Sequence, residues 1–286
     1  MLTRIISAAV GIAVAVTVLF LHETIVLPIA IALVIVVMLF ELIRAVKLEK
    51  CYPILIAAEI FAVLNPIDIG IYDFIESYYY YYFHLTAYCV KYLCVFVIFV
   101  VWLKKHKEIQ YTQIFFVLAC MFMIPQSMSC IVGLNNFPHS VFLIVMGLCG
   151  AWIADSGAYF TGVAFGKHKL CPEISPKKTI EGFVGGILFT AVFFVIALFV
   201  YNKFIAETPC EINYILFGIT GAICAVVGTL GDLSASMVKR QIGFKDYGKI
   251  MPGHGGFMDR FDSVLFVVPT FYMFATIFST HINYAK

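Results

Sequence analysis

"FVGGILFTAVFFVIALFVY" occupies residues 183–201. Nothing in it is charged, and its length matches the roughly 20 residues that a helix needs to cross a bilayer. It is not an isolated core segment. The 286-residue chain is 62% hydrophobic and 13% charged, with a mean hydropathy of +0.98. A soluble domain is about half apolar and about a quarter charged. Reading outward, comparable runs fall near 5–21, 24–43, 52–66, 87–103, 111–130, 140–159, 213–230 and 263–280. The expected fold is therefore all-α: a polytopic integral membrane protein with about nine transmembrane helices. The run at 52–66 is short and ends at Asn65-Pro66, so a re-entrant or interrupted helix is the alternative there. Arg4 before the first run suits a signal peptide. No small-residue cleavage site leads into a polar chain, so a first span is the reading.

Basic residues alternate from side to side. With nine spans, one side collects all 19 lysines and arginines except Lys91, Lys203 and Lys286. The positive-inside rule makes that side cytoplasmic. It puts the N-terminus and two polar loops, 160–182 and 239–262, in the cytoplasm. The nine cysteines include no CxxC pair and mostly sit in apolar runs, where they serve as small hydrophobes. The tyrosines at 78–82 suit an interfacial, partly helical segment, since tyrosine favours the headgroup level. Residues 1–108 carry almost no polar constellation and read as a transmembrane scaffold. Residues 109–286 read as the half that carries the chemistry.

Three polar stretches stand out. "AWIADSGAYFTGVAFGKHKL" (151–170) places Asp155 and Ser156 near the cytoplasmic end of an apolar helix. A carboxylate at membrane depth costs several kcal/mol unless paired or wet, so by default it marks function; the alternative is a structural partner for a nearby lysine. "SPKKTIEGFVGG" (175–186) offers Ser175 and Pro176 as a helix start. Lys177 and Lys178 would then lie on the first turn beside free N–H groups, an anion site. Simple anchoring of the next span at the interface stays open.

The third stretch joins "GDLSASMVKR" (231–240) to "KDYGKIMPGHGGFMDRFDS" (245–263). Asp232 and Ser236 share a helical face, with Lys239 one turn further and Arg240 beside it. Between 239 and 262 lie five cations and three aspartates: Lys239, Arg240, Lys245, Lys249 and Arg260 against Asp246, Asp259 and Asp262. Lysine and arginine recognise phosphate. Grouped aspartates suit Mg²⁺, which shares substrate phosphate oxygens. Gly253, Gly255 and Gly256 let backbone N–H groups approach an anion. His254 is expected to touch phosphate. Together these are the parts of phosphoryl or nucleotidyl transfer.

The pattern S-x-x-K-R-x4-K-D-x-G-x3-P-x-H-G-G-x-x-D-R-x-D, running from Ser236 to Asp262, resembles the signature of phosphatidate cytidylyltransferases, the CDP-diacylglycerol synthases. "DSGAYFTG" and "SPKKTIEG" are similar to that family as well, so the likeness covers roughly residues 150–263. Two positions depart from it. Met251 stands where the family usually has Leu, Ile or Phe, and Ala235 where many members have glutamate. The resemblance implies that CTP and phosphatidic acid give CDP-diacylglycerol and pyrophosphate with Mg²⁺, a second cation being an open alternative. It assigns Asp232, Asp246, Asp259 and Asp262 to metal. Lys239, Arg240, Lys245, Asp246, His254 and Asp259 fall to the reacting centre. Asp155, Ser156, Lys177, Lys178, Ser236, Gly255, Gly256 and Arg260 fall to substrate binding. The expected setting is the cytoplasmic membrane, with the site facing the cytoplasm, membrane lipids around it, a homodimer, and no nucleic-acid partner. A CTP-dependent lipid kinase would release CDP instead of pyrophosphate. A transporter would place its charges near the bilayer midplane in repeated halves, which this sequence does not do.

Overall fold

The computed structural model describes residues 2–72, 74–248, 250 and 255–284. Lys249, Pro252, Gly253 and His254 lie outside the described residues, and so does any role for His254. The described chain is almost wholly helical. Its elements are α1 (Leu2–Phe20), α2 (Val26–Ala45), α3 (Tyr52–Gly70), α4 (Ser77–Lys104), α5 (Tyr111–Leu134), α6 (Ser140–Phe165), β1 (Lys169–Cys171), β2 (Ser175–Thr179), α7 (Ile180–Phe204), α8 (Tyr214–Ile242), the short α9 (Met258–Phe261) and α10 (Val264–Tyr284). Among the described residues, 8 helices are long and apolar enough to cross a membrane, and Ile6–Phe20 adds a shorter apolar one. This bears out the all-α, roughly nine-span reading, and the chain is an integral membrane protein.

Four boundaries differ from the expected ones. α3 is one continuous helix through Pro66 to Gly70, not a short run broken at Asn65-Pro66. α4 begins at Ser77, so the tyrosine run lies on its first turns. α8 extends to Ile242 and carries Asp232, Ser236, Lys239 and Arg240 on a rigid helix. The expected helix start at Ser175-Pro176 is instead strand β2, antiparallel to β1 with Lys169 opposite Thr179 and Cys171 opposite Ser175. The cause is local. Glu181 accepts the backbone N–H groups of Lys167 at 3.1 Å and His168 at 3.2 Å, and meets His168 Nδ1 at 2.6 Å. These bonds fold the chain back on itself. Thr179, not Ser175, caps the helix, accepting Gly182 N–H at 3.1 Å.

Packing divides the chain into two compact units, 1–133 with 242–259, and 134–241 with 260–286. In the first, α2 packs on α3 and α3 on α4, with Ile35, Met38, Leu39 and Ile54 at the centre. α5 is tied in by Phe61 against Phe122, ring centroids 4.7 Å apart. Gln113 Nε2 also donates to the Val46 carbonyl at 2.6 Å. Glu59 Oε2 and Ser129 Oγ are buried without a hydrogen-bond partner among the described residues, but other polar groups at depth are paired: Asp68 meets His84 Nδ1 at 2.8 Å, and Lys91 donates to Asn65 Oδ1 at 2.5 Å. That is the expected behaviour of polar side chains in spans.

In the second unit, Phe194, Phe217 and Phe271 form a buried aromatic core. Helices approach closely where side chains are absent, as membrane helices do at small residues. At Gly186 of α7, a Cβ would lie 2.9 Å from the Ala154 carbonyl oxygen and 3.1 Å from Ala158 Cβ, both on α6. At Gly231 of α8, it would lie 2.9 Å from the Asp262 carbonyl oxygen. Gly186→Val is expected to pry α6 from α7 and destabilise the unit by about 1–3 kcal/mol, the usual range for overpacking. Thermal unfolding in detergent, with Ala197→Val on the same helix for comparison, checks this.

Candidate functional site

In the second unit the polar stretches converge. The β1–β2 hairpin brings Lys178 to α8, where its Nζ pairs with Asp232 Oδ2 at 2.5 Å. Both side chains are mostly buried, 22% and 24% exposed. Ser236, one turn along α8, donates its hydroxyl to Asp232 Oδ1 at 3.5 Å. Asp155 on α6 lies within electrostatic reach of Lys178 and Asp232. Asp262, in the turn between α9 and α10 and only 8% exposed, lies within reach of Asp232, Lys239 and Asp155. Its Oδ1 accepts the Ser263 N–H at 2.8 Å. Three carboxylates from three elements therefore share one neighbourhood with two lysines.

The other second-unit candidates are peripheral to that cluster. Ser156 donates its hydroxyl to the Trp152 carbonyl at 2.8 Å, which leaves its oxygen as an acceptor. Lys177 points outward on β2 while its neighbour Lys178 turns in, as strand alternation requires; it is exposed, like Arg240 and Arg260. Lys177 and Lys178 thus precede the helix and do not lie on its first turn.

In the first unit, the described residues 245–248 and 255–257 lie outside the long helices, the latter leading into α9. Asp259 Oδ2 accepts two N–H groups of these segments, Tyr247 at 2.9 Å and Gly256 at 3.1 Å. Gly255 has φ +89°, a left-handed conformation that favours glycine. Lys245 and Asp246 are exposed. One residue of this region was missed in the sequence motifs: Glu41 of α2, fully buried, whose Oε2 accepts the Met258 N–H at 2.9 Å. The available signal was a lone glutamate inside the apolar run "VIVVMLFELI" (34–43). A carboxylate at that depth asks for a partner.

Among the described residues, no three His, Cys, Asp or Glu side chains are gathered closely enough to hold a metal by themselves. The donor chemistry still fits Mg²⁺. It takes oxygen ligands, retains waters, and needs only one or two carboxylates when phosphate supplies the rest. Three carboxylates against two ammonium groups also leave the second-unit cluster formally negative, a setting that favours a cation.

A bundle of spanning helices with carboxylates and lysines grouped around a short hairpin defines a membrane-embedded protein with a charged cluster held among its spans. The sequence pattern of the cytidylyltransferase family matches residues 2–278, and the chain belongs to that family. It is 49% identical over 128 residues to a phosphatidate cytidylyltransferase of Bacillus subtilis (strain 168), a stretch covering 45% of each chain. It is 48% identical over 128 residues to the Staphylococcus aureus (strain COL) protein of that name, covering 45% of this chain and 44% of the relative. The figure is 40% over 136 residues for the one from Aquifex aeolicus (strain VF5), 47% of each. These matches span under half the length of each relative.

Glu181→Ala is expected to release the hairpin, since it removes the acceptor of two backbone N–H groups. Trypsin should then cut after Lys167 or Lys169 several-fold faster than in the unaltered protein, with α6 and α7 intact by circular dichroism.

Proposed function

We propose that this protein is a phosphatidate cytidylyltransferase, transferring the cytidylyl group of CTP to phosphatidic acid for phospholipid synthesis. The observation that carries this reading is the Lys178–Asp232 pair with Asp155 and Asp262 around it. It draws together three stretches that resemble the same family. The relatives' names support the same reaction.

A phosphate oxygen of the lipid attacks the α-phosphorus of CTP. The bond from that phosphorus to the bridging oxygen breaks, and pyrophosphate leaves. No residue need act as general base, because a phosphate monoester is ionised near neutral pH. The obstacle is charge. Two like unit charges near 4 Å repel by about 4 kcal/mol at an effective dielectric of 20, and several meet here. Lys178 is held in place by Asp232, so its charge is oriented before substrate arrives, the preorganisation that stabilises developing charge. Lys239, Arg240, Lys245 and Arg260 are assigned to the phosphates of CTP or of the lipid, and Lys177 to a supplementary contact. Mg²⁺, when bound, would supply positive charge for the departing pyrophosphate. Asp232 and Asp262 would hold it in the second unit, and Asp246 and Asp259 are candidate ligands in the first. The cytoplasmic orientation follows from the basic-residue asymmetry, since CTP is a cytoplasmic nucleotide.

Purified protein given CTP, dioleoyl phosphatidate and Mg²⁺ should make CDP-diacylglycerol and pyrophosphate. Release of CDP would point to a lipid kinase, and no product with any nucleotide would sink the reading. Asp232→Asn and Lys178→Met should each lower kcat by about 100-fold or more, the scale of losing one preorganised charge-stabilising group. Cysteines introduced singly at Lys107 and Lys203, in a background lacking the native cysteines, test orientation. Position 107 should label only from the cytoplasmic side and position 203 only from the other.

A further inference from the structure

Glu41 belongs to none of the motif stretches, yet it is the most completely buried carboxylate described, at 0% exposure. Such a group is costly unless its oxygens are satisfied. Oε2 takes the Met258 N–H, and the Phe257 N–H also bonds to this carboxylate. Oε1 has no partner among the described residues. The loop wraps around the carboxylate through two glycines. A Cβ at Gly248 would collide with the Glu41 carboxyl group, and its three nearest neighbours are all atoms of Glu41. A Cβ at Gly256 would lie 2.6 Å from Oε2, 2.7 Å from the Gly248 backbone nitrogen and 2.9 Å from Oε1. These two glycines therefore make room for an internal carboxylate. Asp259 binds the same loop from its other end, through Tyr247 and Gly256 N–H. The described positions Tyr247, Gly256, Phe257 and Met258 are thus held by two carboxylates acting on backbone N–H groups, and Asp246 is the residue just before the first of them.

We infer that Glu41 is a positioning residue for the signature loop: its buried carboxylate sets the backbone at Gly248 and at residues 256–258, and through it the placement of Asp246 and Asp259. The effect on catalysis rests on the reaction proposed above; the effect on the loop does not. Glu41 fixes the floor on which the loop is laid.

The test uses full-length protein in detergent with Glu41→Ala, Glu41→Gln, Gly248→Ala and the double variant Glu41→Ala/Gly248→Ala. Hydrogen exchange of peptides covering 243–258 is read alongside CDP-diacylglycerol synthesis over a range of Mg²⁺ concentrations. Glu41→Ala should speed loop exchange by about tenfold or more, a local opening, with peptides from α6–α8 unchanged. It should lower kcat by about 100-fold, the cost of an ångström-scale misplacement of reacting groups, and raise the Mg²⁺ concentration for half-maximal rate several-fold. Glu41→Gln keeps an acceptor for the Met258 N–H and should lose less on both readouts. The double variant should lose less than the product of the single losses, because the atoms that Gly248→Ala collides with are gone. Unchanged loop exchange in Glu41→Ala overturns the inference. So does an activity loss that tracks only the folded fraction with the Mg²⁺ dependence unmoved, or single losses that simply multiply. If Glu41→Ala does not fold, Glu41→Gln and Gly248→Ala decide by the same exchange readout. If the unaltered protein makes no CDP-lipid, the proposed reaction fails, while loop exchange still settles the role of Glu41.

Discussion

The Lys178–Asp232 pair is the constraint on which the second unit's polar architecture depends. Either charge alone, in a setting this enclosed, would be costly, and breaking such a pair leaves the survivor unpaired. The two side chains keep about a fifth to a quarter of their surface, so the attraction is partly screened and the pair is not simply a stabilising staple. Its consequence is geometric. Lys178 reaches α8 only because the chain between α6 and α7 folds into a hairpin. The hairpin in turn exists because Glu181 gathers the N–H groups of Lys167 and His168, while Thr179 starts α7 after the lysines. Four residues separated by up to 14 positions thus set where one ammonium group sits.

The apolar helices set the stage for that pair in a different way. Inside a bilayer, lipid is as greasy as leucine, so helices hold together by close packing more than by the hydrophobic effect. Gly186 against the Ala154 carbonyl brings α7 onto α6, and Gly231 against the Asp262 carbonyl brings α8 onto the start of α10. Each contact lies within one turn of a carboxylate: Ala154 precedes Asp155, Gly231 precedes Asp232, and Asp262 supplies its own carbonyl. Small residues beside the aspartates let three backbones approach. That approach puts three negative side chains within reach of one another, and the lysines offset part of the repulsion.

The sequence made the helices legible because length and apolarity alone decide whether a segment can span a bilayer, and every run between residues 24 and 280 is a helix. It made the motif residues legible because lysine, aspartate and glycine are rare at such density in so greasy a chain. It could not show the hairpin. Ser175-Pro176 is a sound helix start by local rules, and the Glu181 carboxylate acting backward across the turn, the strand pairing and the Thr179 cap together override it. Nor could it show that α3 continues past Pro66, since a proline stop depends on whether neighbours satisfy the freed carbonyl. Glu41 escaped for the plainest reason: its partners lie more than 200 positions away, and no local pattern connects a glutamate in α2 to an amide at Met258.

The signature stretch reads as one block in sequence, but packing does not treat it so. Residues up to 241 and from 260 onward belong with α6, α7 and α10, whereas 242–259 belongs with α1–α5. Each part is fixed by a charged residue remote in sequence: Asp232 of α8 by Lys178 from the hairpin, and the glycine loop by Glu41 from the scaffold half. The N-terminal helices are therefore more than a membrane anchor. They supply a carboxylate that the loop's glycines make room for, which accounts for glycine at 248 and, together with the close Gly248 backbone, at 256 without reference to any ligand. A motif glycine can thus answer to an internal anion as well as to a substrate. At Gly248 the three atoms nearest an added Cβ all belong to Glu41, so the internal anion occupies the space that a side chain there would take.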